Sequence, residues 1–92
     1  MNNTKIVLSA LALDLKRVSL GLYRGSSSMA DRFMQEALKR KNELDINSLK
    51  PYMQKLITEM EDSLKGTDNQ KKAEDCLMYS TLFQNAALKK MV

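Results

Sequence analysis

The chain has 92 residues, 43% apolar and 28% charged, with a formal charge of +4 and no histidine. That length suits one domain near the lower limit of a self-sufficient core, so residues 1–92 are read as a single domain. The apolar content excludes a wholly disordered chain, and no apolar run approaches the ~18–20 residues of a membrane span, so no membrane role is expected.

Three glycines and one proline are few for an all-β fold, which needs turn residues every ~8–12 positions. Leu, Ala, Met, Lys, Glu and Gln dominate, and these favour helix. The single cysteine, Cys76, excludes an internal disulfide framework and fits a reducing, cytoplasmic setting.

Four helices are expected in chain order. The first runs from about Thr4 to Tyr23 and stops at Gly25, a natural left-handed C-cap. Its start, Lys5 followed by the apolar residues 6–13, resembles a short signal peptide. The apolar stretch is only eight residues long and Asp14 follows at once, so it is read as helix instead. Ser28, with Asp31 three residues on, predicts an acidic capping box opening a second helix, about Met29 to Leu44. Met29, Phe33, Ala37 and Leu44 form its inner side.

After the linker 45–47, Ser48 is the expected N-cap of the third helix, with Pro51 in its first turn. Leu49, Tyr52, Met53, Leu56, Ile57, Met60 and Leu64 follow the i, i+3, i+4, i+7 spacing of one amphipathic face. Gly66 ends it. Thr67 or Asp68 then caps a fourth helix reaching about Lys90, with Ala73, Cys76, Leu77, Phe83, Ala87 and Met91 inward. Helices of ~16–20 residues are ~24–30 Å long, and connections of about three to five residues force sequence neighbours antiparallel. The expected fold is an all-α, four-helix, largely antiparallel up-down bundle.

The first helix differs from the rest in carrying two apolar stripes. Leu8, Leu11, Leu15, Val18 and Leu22 step by three and four residues along one side. Ile6, Leu13 and Leu20 repeat every seven residues on nearly the opposite side, together with Ala10, Arg17 and Arg24. A helix apolar on two faces is buried on both. The expected occupant of the second face is another copy in a homodimer, with Ile6, Leu13 and Leu20 as the apolar contact and Arg17 and Arg24 at its rim. The alternative is that the fourth helix folds over it.

Other chemistry is thinly represented. Without histidine and with one cysteine, no ordinary zinc or haem site exists within the chain, and neither a metal nor a cofactor is expected. Glu59, Glu61, Asp62, Glu74 and Asp75 alternate with lysines, as in Lys55–Glu59 and Lys71–Asp75, which describes a solvated face. Cys76 sits at a core-like position without a base, so no catalytic residue and no enzyme activity are expected. Arg24, Ser26, Ser27, Ser28 and Arg32 surround a helix N-terminus, a weak candidate for binding an anion.

Between Lys16 and Lys41 there are seven basic residues against two acidic ones. Phosphate or nucleic-acid binding is therefore the runner-up function. Against it, Arg32–Glu36, Glu36–Arg40 and Lys39–Glu43 are i, i+4 pairs that any exposed helix could carry. Of the methionines, Met53 and Met60 fit a core face, whereas Met34 and Met78 fit one less well and point to a contact surface. Ser80, Thr81, Gln84 and Asn85 need polar partners if their segment is buried. The reading favoured by sequence is a helical protein-interaction module that self-associates through its first helix.

Overall fold

The computed structural model describes residues 3–89. It contains α1 (Asn3–Tyr23), α2 (Ser27–Asn42), α3 (Pro51–Leu64) and α4 (Asn69–Lys89), with a short 3-10 turn at Ile46–Ser48. The described residues are 86% helical with no strand among them, and they form the expected all-α bundle. The expected helix end near Lys90 and the inward Met91 lie outside the described residues.

Local chemistry sets the boundaries. Gly25 takes φ 71°, a conformation in which a Cβ would be strained. Around it the Ser26 amide donates to the Gly21 carbonyl at 2.8 Å and the Gly25 amide to that of Leu22 at 3.2 Å. Those paired bonds close the end of α1 as a Schellman motif. The reversal leaves Ser26 extended, and its hydroxyl accepts from the Met29 amide at 3.3 Å. Ser26, not Ser28, is therefore the cap. Asp31 forms no capping box, because α2 begins at Ser27, earlier than expected.

The start of α3 departs from expectation for a different reason. The residue before a proline is pushed out of the helical region, and Lys50 is extended at φ −63°, ψ 150°. The helix accordingly begins at Pro51 with Lys50 as its cap. Ser48 instead closes the 3-10 turn, its hydroxyl donating to the Asp45 carbonyl at 2.8 Å. The Leu49 carbonyl is satisfied by the Gln54 side-chain amide at 2.9 Å. At α4 the cap is Asp68, whose Oδ1 accepts from the Lys71 amide at 3.1 Å.

The helices close a cycle in which α1 packs most extensively on α4 and α2, α3 packs on α4, and α2 touches α3 most lightly. Near the end of α2, Lys41 pairs with Glu61 at 3.4 Å. Glu61 lies about 15 Å along α3 from Pro51 at 1.5 Å per residue. The end of α2 therefore meets the far part of α3, not its first turn. The core is one cluster that gathers Leu8, Leu11, Leu15 and Val18 of α1, Met53, Ile57 and Met60 of α3 and Phe83 of α4. Tyr79 stacks on Phe83 with ring centroids 6.0 Å apart. The first apolar stripe of α1 is thus the core stripe, with Leu22 half-buried at its end.

Two inward assignments are corrected. Tyr52 and Leu77 are exposed. Because α4 is wedged between α1 and α3, its buried sector is broad and takes in Tyr79, Ser80 and Ala86. Leu77 falls just beyond the edge that touches α1.

Candidate interaction surface

The surface that the sequence singles out is built on a close seam between α1 and α4. Ser19 on α1 donates its hydroxyl to the Ala73 carbonyl on α4 at 2.8 Å. Ser80 on α4 donates in return to the Ala12 carbonyl on α1 at 2.7 Å. Each helix therefore offers an Ala and a Ser seven residues apart, and the two bonds are related by a local two-fold axis between antiparallel helices. All four residues are buried and small, which lets the backbones approach closely. Of the polar residues 80, 81, 84 and 85, only Ser80 is buried. Its partner is a backbone carbonyl.

On the other side, α1 meets α2 almost as closely. A Cβ on Gly21 would lie 2.9 Å from the backbone nitrogen of Ala30, so only glycine fits without displacing a main chain. The Arg17 guanidinium lies 5.2 Å from the centre of the Phe33 ring, and that of Arg32 lies 5.4 Å from it. Asp14 is buried in this cleft, with its Oδ2 3.7 Å from Arg40 Nε. That exceeds hydrogen-bond range, and neither atom has a hydrogen-bond partner among the described residues. Burial raises the Asp14 pKa, Arg40 opposes the rise, Glu36 adds to it and Arg17 opposes it.

With α2 on one flank, α4 on the other and the core behind, the remaining side of α1 carries the second stripe. Ile6, Leu13 and Leu20 are 57%, 47% and 37% exposed. The fourth helix does not fold over them. Leu13 instead shares an outer groove of about 280 Å³ with Ala12, Lys16, Leu77, Ser80, Thr81 and Gln84. Leu77 is 44% exposed and Leu88, further along α4, is 69% exposed. Leu77, Thr81, Gln84 and Leu88 step by four, three and four residues, a spacing that was legible in the sequence as a strip of its own.

No protein-family model, curated protein or solved structure matches this chain.

The remaining candidates are placed as follows. Arg24 is exposed at the end of α1, and Ser27 and Ser28 are exposed in the first turn of α2. Ser26 is engaged as the cap and Arg32 lies over Phe33, so the five residues do not converge on one point. Arg17 belongs to the α1–α2 cleft more than to a rim of the second stripe. Arg40 turns to Asp14 and, at 3.2 Å, to Glu43, not to Glu36. Lys71 pairs with Asp75 at 3.0 Å, as its spacing implies.

Among the described residues, no three acidic or cysteine side chains cluster in a way that could hold a metal ion. Among the described residues, no helix is long and apolar enough to cross a membrane. Cys76 is buried, and burial pushes its thiol pKa up to about 12, so its thiolate is scarcely populated at neutral pH. Met34 is half-buried. Met78 is exposed on α4, on a side away from the groove.

Proposed function

We propose that this protein is a helical interaction module that self-associates through the outer face of α1, with Leu77 and Leu88 of α4 extending the contact. The observation that carries this reading is the continued exposure of Ile6, Leu13 and Leu20 after the bundle's own core has closed. Three branched side chains at heptad spacing on a central helix form an apolar ridge that solvent disfavours and a second helix can cover. Burying apolar surface contributes roughly 25 cal/mol per Å², which matters most to a small domain. A cytoplasmic setting accords with a lone, buried thiol at Cys76.

The basic segment 16–41 supports nucleic-acid binding less well. Arg17, Arg32, Arg40 and Lys41 are each engaged with Phe33, Asp14, Glu43 or Glu61. Light scattering over a dilution series, at moderate and high salt, tests the reading. A dimer that persists in high salt is expected, and Leu13→Glu should reduce it to a monomer with unchanged helical circular dichroism. A monomer at every concentration, with salt-sensitive retention on RNA or an anionic resin, would overturn self-association in favour of the basic surface.

A further inference from the structure

Resting on that self-association, we infer that the partner copy lies antiparallel along α1, on a two-fold axis passing beside Leu13. The spacing is self-complementary about such an axis. Ile6 and Leu20 are each seven residues from Leu13, so the axis sets Leu13 against Leu13 of the second copy and Ile6 against its Leu20. An isologous contact of this kind closes at two subunits and leaves no free end to polymerise.

Charge selects the direction. Lys16 is exposed beside Leu13 in the outer groove, and the one acid on α1, Asp14, is buried toward α2. A parallel pairing would put Lys16 against Lys16 of the second copy, with no acid on α1 to separate them. The antiparallel pairing puts Lys16 at the level of Ala10, so the like charges are offset.

The same axis, lying across the helix in the plane of contact, brings α4 of each copy to the same flank. That places Leu77, which shares a groove with Leu13, near the axis. A standard interface buries ~800 Å² per partner, more than three half-exposed side chains on α1 supply, so α4 contributes to the contact.

Disulfide trapping in the full chain tests the geometry, because the buried native thiol at Cys76 does not compete. On oxidation by a copper–phenanthroline complex in air, Leu13→Cys should give a covalent dimer. Neither Ile6→Cys nor Leu20→Cys should do so alone. Their counterparts stand about 21 Å apart along the axis at 1.5 Å per residue, far beyond the ~7 Å Cα separation a disulfide spans. An equimolar mixture of the Ile6→Cys and Leu20→Cys proteins should cross-link as a heterodimer. Equal self-linking of all three single variants would establish the parallel arrangement and overturn this one while leaving self-association intact. A dimer by light scattering that links at none of these positions would move the interface off α1. A monomer would overturn both readings.

Discussion

Among the described residues, Asp14 is the one buried carboxylate, in the cleft between α1 and α2 and just out of hydrogen-bond reach of Arg40. Burial is the largest influence on it and holds its pKa above the ordinary aspartate value of 3.8. A raised folded-state pKa means the native protein binds that proton more tightly than the unfolded chain does. The stability contributed by Asp14 is therefore full below pH 3.8 and is lost as pH rises through the raised value. In urea titrations from about pH 3 to 6, wild type should lose stability relative to Asp14→Asn, which cannot titrate. A gain over that window would mean that Arg40 outweighs burial. Sequence alone did not mark Asp14, because its consequence depends on which helix covers it. The same limit applies to the serines at 26–28. Their intrinsic capping preferences are identical, and the choice of Ser26 is made by the left-handed turn at Gly25 immediately before it.

At the scale of the helices, the seam between α1 and α4 is specific because each helix both donates and accepts. Removing one hydroxyl leaves the facing carbonyl still able to accept its intrahelical bond, so the loss is that of an ordinary hydrogen bond, about 1 kcal/mol. Ser19→Ala and Ser80→Ala should each lower the melting temperature by roughly 4–8 °C for a domain of this size. The bonds lie about 10 Å apart along the helices, so the double variant should be additive within ~0.5 kcal/mol. Thermal denaturation followed by circular dichroism measures both quantities, and an unchanged melting temperature would show the hydroxyls to be dispensable.

Much of this level was legible beforehand. The core stripe of α1, the amphipathic face of α3 and the stop at Gly25 all follow from periodicity and backbone stereochemistry. The start of α3 was misplaced because Ser48 has the chemistry of a cap, whereas Pro51 dictates where the helix can begin. The inward placement of Leu77 failed because α4 touches two neighbours, and its buried sector cannot be centred without knowing both.

For the molecule as a whole, the proposed self-association would tie stability to concentration. If the native dimer is the stable species, its melting temperature should rise with protein concentration. That of Leu13→Glu should stay flat, and scanning calorimetry over a hundredfold dilution compares the two. The duplicated stripe on α1 was visible from sequence as a conflict, since a helix at the edge of a bundle needs only one apolar face. Its resolution needed the fold, which shows both flanks occupied and the outer ridge bare.

The seam has a further consequence, for the order of events during synthesis. Its two serine–carbonyl bonds join residues 54 and 68 positions apart, so the most extensive packing in the molecule is also the least local. Such contacts require the longest loops to close before they stabilise anything. A nascent chain that has made α1, α2 and α3 still lacks the helix that completes the core. Until α4 emerges, the partner side of Leu8, Leu11, Leu15 and Val18 is open as well as the outer ridge, and α1 is then at its most adhesive.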